Sequence, residues 1–135
     1  MRHLLTVLAD FRFLPGVHAV GGCVRDVLLG VEAADVDLAT SAPPEEVIRL
    51  ALERGLRVVP TGLAHGTVTL LHPRRGAVEV TTYRRDVSCD GRRATVAIAG
   101  DIREDLSRRD FTINAIALAP DGQLVDPFCG ERDLR

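Results

Sequence analysis

"GGCVRDVLLGVEAADVDLAT", residues 21–40, decides how the rest of the chain is read. The apolar run Val17–Val20 leads into Gly21 and Gly22, and the helical stretch Cys23–Leu29 stops at Gly30, where a glycine commonly closes a helix. The order is strand, glycine turn, short helix. Asp35–Ala39 then alternates acidic and apolar residues with the two-residue period of a strand. Side chains two apart on a strand leave the same face, about 6.5–7 Å from one another. Asp35 and Asp37 therefore form a carboxylate pair on one face.

On the N-terminal side, residues 2–13 form a predicted short helix that packs Leu4, Leu5 and Leu8 and ends before Pro15 and Gly16. On the other side, "SAPPEEVIRLALERG" (41–55) has the marks of a complete helix. Ser41 stands near its start, prolines and the acids Glu45 and Glu46 occupy the first turn, Val47, Leu50 and Ala51 share a face, and Gly55 closes it. Leu56–Val59 and Thr67–His72 read as strands, with "PRRGA" (73–77) the hairpin turn into the strand Ala77–Tyr83. Residues 84–100, polar and carrying Gly91 and an arginine pair, read as a long, partly mobile loop. Ile102–Arg108 has helical character, and "INAIALAPDGQLVDP" (113–127) reads as strand, Pro-Asp-Gly turn, strand. Helices and strands mix without strict βαβ alternation. That order predicts an α/β or α+β domain, a small mixed sheet with helices packed mainly on one side.

A chain of 135 residues suits one domain with one core. No apolar run approaches the roughly 18 residues of a membrane span, and "MRHLLTVLADF" lacks the length and cleavage site of a secretory signal. The expectation is a cytoplasmic protein. Cys23, Cys89 and Cys129 are odd in number and not at metal-ligand spacing, and His3, His18, His65 and His72 show no HExxH-like pair. This argues against a disulfide framework and against zinc, so a bound metal would be held by carboxylates. All 17 basic residues are arginine, which excludes Schiff-base and P-loop lysine chemistry. A net charge of −2 is unlike that of a strong, sequence-independent nucleic-acid binder. The arginine pairs at 74–75, 84–85, 92–93 and 108–109, flanked by Asp86, Asp90, Asp105 and Asp110, read as solvated surface.

The carboxylates of Asp35 and Asp37 can share one Mg²⁺ or bridge two, and divalent ions about 3.5–4 Å apart support in-line displacement at a triphosphate. The alternative is a solvent-facing strand edge. Gly21 and Gly22, at the turn from strand to helix, let backbone N–H groups face an anion, to which Arg25 adds a forked, charge-assisted contact. Alternatively the glycines serve a tight turn and Arg25 pairs with Asp26. Glu79, between Val78 and Val80, is either a third metal carboxylate or a salt-bridged acid within the sheet. In "RRDFTINA" (108–115), Arg108 and Arg109 can clamp phosphates and Asp110 can accept from a ribose hydroxyl. Asn114, the one asparagine in the chain, can bond sugar or base. The alternative is a helix end with arginines at its negative terminus and Asp110 and Thr112 as turn and cap residues.

GG-x-V-R-D, D-x-D-L-A-T, E-V-T-T-Y-R, D-L-x-R-R-D-F-T-I-N-A and D-P-F-x-G-x-x-D-L follow one another at compatible spacing. From about residue 17 to Leu134, that series resembles the catalytic head of class II tRNA nucleotidyltransferases, the family of CCA-adding enzymes and bacterial poly(A) polymerases. The resemblance implies a polymerase-β-like nucleotidyltransferase fold. It implies transfer of a nucleoside monophosphate from ATP or CTP to an RNA 3′-hydroxyl with release of pyrophosphate, using Mg²⁺, for which Mn²⁺ substitutes. It assigns Asp35 and Asp37 to metal, Gly22 and Arg25 to the triphosphate, Arg109 to the nucleotide, and Asp110 and Asn114 to the ribose motif. Residues 84–100 match the family's flexible loop at roughly full length, which disfavours members that add cytidines alone. Residues 1–135 correspond to the head, and 123–135 to the start of its connector to the neck. The family's base-selecting motif, and the body and tail that hold tRNA, belong beyond this stretch, so the expectation is a head fragment. Two other readings stay open: a standalone minimal nucleotidyltransferase with a non-tRNA acceptor, and a nucleotide-binding module inactive by itself.

Overall fold

The computed structural model describes residues 1–32, 35–60, 62–89, 94–98, 100–109 and 111–134, with side chains for all of these except 64, 85–89 and 94–98. Gly91, the pair Arg92 and Arg93, and Asp110 lie outside the described residues. The elements in order are α1 (Arg2–Asp10), β1 (His18–Val20), α2 (Gly22–Leu28), β2 (Asp37–Thr40), α3 (Pro44–Glu53), β3 (Arg57–Val59), β4 (Thr67–His72) and β5 (Gly76–Thr82). Then come β6 (Arg84–Cys89), β7 (Ala94–Ile98), α4 (Ile102–Ser107), a 3₁₀ turn at Thr112–Asn114, β8 (Ala117–Leu118), β9 (Leu124–Val125) and α5 (Gly130–Asp133).

Seven strands form one mixed sheet in the order β3-β4-β5-β2-β1-β8-β9. β2 and β5 run parallel, and the other described pairs are antiparallel. Alternation along the strands divides the sheet into two faces. One face sends Ala19, Leu38, Val68, Leu70, Val78 and Val80 into the main core. Leu4, Val7 and Leu8 of α1, Cys23 and Val24 of α2, and Val47 and Ala51 of α3 cover it. The other face carries Val20, Ala39 and Ala117, packed on Ile102 and Leu106 of α4 and on Tyr83. Three of the longer helices thus lie on one side, as expected, and α4 shields only the middle of the opposite face. No helix among the described residues is long and apolar enough to cross a membrane.

Several local expectations need correction. The strand predicted from Asp35 begins at Asp37, and Leu38, Ala39 and Thr40 are all buried instead of alternating. Beyond Asp37 the strand is covered on both faces, with Leu38 in the main core and Ala39 packed with Ile102, Leu106 and Tyr83. Ser41 does not cap α3, whose N-cap is Pro43 without a side-chain bond; its hydroxyl donates to the Pro15 carbonyl at 3.2 Å. Residues 84–100 do not form a loop throughout, because β6 and β7 pair as an antiparallel ribbon with an irregularity between Asp86 and Ser88. The strand-turn-strand reading of 113–127 holds, but Thr112–Asn114 takes up a 3₁₀ turn and the two strands are short. Nor is the pair at 74–75 simply solvated: Arg75, 17% exposed, donates to Asp10 at 2.8 Å and pins the β4–β5 hairpin to α1.

Candidate active site

β1 ends at Val20 and α2 begins at Gly22, leaving a single residue for the turn. Gly21 makes it with φ 75 and ψ −140, a conformation that side chains disfavour. The Val24 amide donates to the Gly21 carbonyl at 3.1 Å, and the amides of Gly22 and Cys23, first in α2, have no acceptor within the helix. At Gly22 an added Cβ would meet Arg25 Nη2 at 3.2 Å, so the missing side chain leaves room for that guanidinium. Arg25 Nη1 donates to Asn114 Oδ1 at 3.0 Å and its Nε donates to Asp26 Oδ1 at 3.1 Å. The pairing with Asp26 and the reach toward the site coexist.

Parallel pairing of β2 with β5 sets Asp37 opposite Glu79, and β4 sets Thr69 opposite Glu79. All three leave the face that α4 only partly covers. Asp35, in the bend before β2, joins them around a cavity of about 370 Å³ lined also by Val36 and Ala77. Loss of hydration pushes the Asp37 carboxyl above its ordinary value; Glu79 pushes it further, Arg109 opposes, and Asp35 adds to the rise. The donor set therefore carries negative charge that a cation would relieve. Among the described residues no three His, Cys, Asp or Glu side chains are grouped closely enough to hold a metal by themselves. Mg²⁺ ordinarily takes one or two carboxylates and completes its shell with phosphate oxygens and water. Asp35 and Asp37, with Glu79 beside them, suit that mode.

Arg109 stands between the acids and the glycine turn. Its charge acts on Asp37, and its Nη1 lies 3.6 Å from where a Cβ on Gly21 would be. Its Nε and Nη2 donate to Asp105 Oδ2 at 3.3 and 3.0 Å. Arg108, half-buried, closes α4 as the C-cap residue. Asp105, which flanks the arginine pair expected to be solvated, is 1% exposed, and its Oδ1 accepts from the Arg84 amide at 2.9 Å. The Asp-to-Arg spacing of four across the end of α4 is the available signal.

Asn114 sits in the 3₁₀ turn, which the C-terminal segment holds from behind. Asp126 accepts from the Gly130 and Glu131 amides at 2.7 and 3.0 Å. Thr112 Oγ1 donates to Asp133, and Gly130 is packed directly on the Thr112 backbone. The segment that the resemblance assigns to the start of the connector thus packs against the 3₁₀ turn. Phe111, in the same stretch, is 76% exposed with φ 65 and ψ 130. The structure therefore brings Gly21, Gly22, Arg25, Arg109 and Asn114 together, and Asp35, Asp37 and Glu79 together next to Arg109.

The family model described as "Poly A polymerase head domain" matches residues 17–135. The CCA-adding enzyme of Oceanobacillus iheyensis is 48% identical over 120 residues, which cover 87% of this chain and 29% of that protein. The chain therefore spans less than a third of that relative's length. Among solved structures, the Bacillus stearothermophilus CCA-adding enzyme in complex with CTP aligns with a TM-score of 0.76 at 39% identity, over 98% of this chain and 30% of that one. A tRNA nucleotidyltransferase complexed with a primer tRNA and an incoming ATP analog aligns with a TM-score of 0.67 at 36% identity, over 97% of this chain and 36% of that one.

Proposed function

The chain belongs to the family of poly A polymerase head domains, and on that premise we propose that residues 1–135 are the catalytic head of a metal-dependent tRNA nucleotidyltransferase. It transfers a nucleoside monophosphate from CTP or ATP to the 3′-hydroxyl of tRNA and releases pyrophosphate. One observation carries this reading: Arg25, held on Asn114 at 3.0 Å, and Arg109, beside Gly21, meet at a glycine turn adjoining the Asp37 carboxylate. Two guanidiniums beside backbone amides suit a triphosphate, and neighbouring carboxylates suit the divalent ion that accompanies one. The relatives' names, and the CTP and tRNA complexes among the neighbouring structures, agree with that chemistry.

Gly21, Gly22, Arg25 and Arg109 bind the triphosphate and turn its reacting phosphorus toward Asp37. Arg108 adds positive charge at the end of α4. Asn114, with Asp110, takes the sugar hydroxyls. Asp35 and Asp37 would hold Mg²⁺ or Mn²⁺, with Glu79 supporting them. When bound, such ions lower the pKa of an attacking hydroxyl and neutralise charge on departing pyrophosphate. Electrostatic preorganisation by the two arginines supplies the remaining stabilisation of the transferring group. With a net charge of −2, the head offers little grip on RNA phosphates. By the same proposal, the acceptor's hold and the choice of base belong to the family's parts beyond the head, and the setting is cytoplasmic.

The test uses the purified chain with Mg²⁺, labelled CTP or ATP, and a tRNA lacking its terminal CCA, beside a lane without RNA and an Asp35→Ala, Asp37→Ala variant. The expected result is metal-dependent nucleotide binding, with any transfer to tRNA abolished by the double substitution. No binding of either nucleotide, or transfer that survives loss of both aspartates, would overturn the reading.

A further inference from the structure

Asp105 is a carboxylate 1% exposed in a six-residue helix, and a buried charge is costly unless something requires it. Stability alone is a poor reason, because well-packed apolar residues commonly replace buried ion pairs without loss. Its bonds point to another reason. Oδ2 receives Nε and Nη2 of Arg109 at 3.3 and 3.0 Å, and Oδ1 receives the amide of Arg84, the first residue of the β6–β7 ribbon, at 2.9 Å. One edge of the guanidinium is thereby occupied, while Nη1 reaches the neighbourhood of Gly21. An arginine left to itself samples many rotamers and must lose them on binding an anion. We propose that Asp105 is a positioning residue, whose carboxylate holds Arg109 in its phosphate-facing pose before nucleotide arrives and ties that pose to the root of the ribbon. This rests on the reading of Arg109 as a triphosphate contact.

A double-mutant cycle on the purified chain, with Mg²⁺-CTP binding measured by calorimetry, tests it. Asp105→Asn keeps the size of the side chain and an oxygen for the Arg84 amide but removes the charge. It is expected to weaken CTP roughly tenfold, the upper end of the penalty for ordering a long side chain on binding. Arg109→Gln is expected to weaken CTP as well, and the double variant to bind within about twofold of Arg109→Gln alone, since a positioning residue has nothing left to position. A merely structural Asp105 would weaken binding equally in both backgrounds, which overturns the proposal. So does wild-type affinity in Asp105→Asn while Arg109→Gln is impaired. Wild-type affinity in Arg109→Gln instead defeats the assignment of Arg109 to nucleotide, and the positioning role with it. If Asp105→Asn does not fold, the wild-type chain still decides. Without nucleotide, the Arg109 Nε–H, assigned from its loss in Arg109→Lys, should exchange with water at least roughly tenfold more slowly than those of the exposed Arg2 and Arg57. Equal rates overturn the proposal.

Discussion

An added methyl group at Gly130 would place a Cβ 2.0 Å from the Thr112 carbonyl oxygen and 2.6 Å from its carbon, with Ile116 Cδ1 at 3.1 Å. Real Cβ atoms do not come within 3.0 Å of such neighbours, so in Gly130→Ala α5 and the 3₁₀ turn must part by about 1 Å. Overpacking of this kind costs about 1–3 kcal/mol. The displaced turn carries Asn114, and a shift of that size stretches its 3.0 Å bond from Arg25 beyond hydrogen-bonding range. The loss of a bond to a charged group adds about 1.5–3 kcal/mol, part of which the solvated arginine recovers. We expect a net loss of about 3 kcal/mol, a fall in melting temperature of roughly 10 °C for a domain of this size. CTP affinity should fall about tenfold, because Arg25 loses Asn114 and keeps only its pairing with Asp26. Gly76→Ala is the control: φ is 72 and nothing lies within 4 Å, so it meets only the conformational penalty, about 1–2 kcal/mol. It should leave CTP binding unchanged. Thermal melts and calorimetric titrations on the two variants suffice. Gly130→Ala melting within about 2 °C of wild type, or losing stability while keeping full CTP affinity, would refute the coupling between the C-terminal turn and the site.

Three further outcomes follow from other contacts. Asp37→Asn should abolish label transfer and remove most of the Mg²⁺ dependence of CTP binding; transfer at the wild-type rate in a quench-flow assay would count against the carboxylate pair. Arg75 holds the Asp10 carboxyl below its ordinary value, so the pair stabilises the fold above the unfolded aspartate pKa of about 3.9 and loses that contribution as pH falls through the lower folded value. Asp10→Asn should therefore cost about 1 kcal/mol at neutral pH and almost nothing at the acid end, as read by urea unfolding across pH; a pH-independent difference would contradict the pairing. Tyr83 is buried with its hydroxyl donating to Gly16 and beside His18 Nδ1 at 3.1 Å. Tyr83→Phe should cost about 0.5–1.5 kcal/mol by removing one of the two bonds to the Gly16 carbonyl, which still faces His18 Nδ1 at 2.8 Å, and an unchanged denaturation midpoint would show that His18 alone satisfies it.

Local pattern made parts of this structure legible. β4 spans Thr67–His72 as read from its run of β-branched and apolar residues, and Gly21 occupies the turn its position suggested. Candidate acids could be named from spacing, but the juxtaposition of Asp37 with Glu79 depends on parallel pairing across more than forty residues, which no local period encodes. Asp35 shares the alternation of Asp37, which predicts a strand there, yet pairing with β1 and β5 starts only at Asp37. The β6–β7 ribbon was hidden by its arginines and polar residues, although Thr95, Val96 and Ile98 favour extended backbone. Asp105 was hidden for the opposite reason. An acid beside an arginine pair looks solvated until α4 is seen to press that side of itself onto the sheet, among Ile102, Leu106 and Val20.

The bond between Arg25 and Asn114 joins residues 89 positions apart, and β1 pairs with β8 across a similar separation. Contacts of such sequence distance form late and slowly, because the intervening chain must be organised first. As the polypeptide leaves the ribosome, the glycine turn and the acidic pair emerge early, with Arg25 able to pair with Asp26 but not yet with Asn114, and with Arg109 still to come. The pocket closes only when the C-terminal turn has docked, so nucleotide affinity reports completed folding. A ligand that binds only the finished state also pulls the folding equilibrium toward it. On the proposed function, CTP or ATP would then act on this domain as a folding ligand before acting as a substrate.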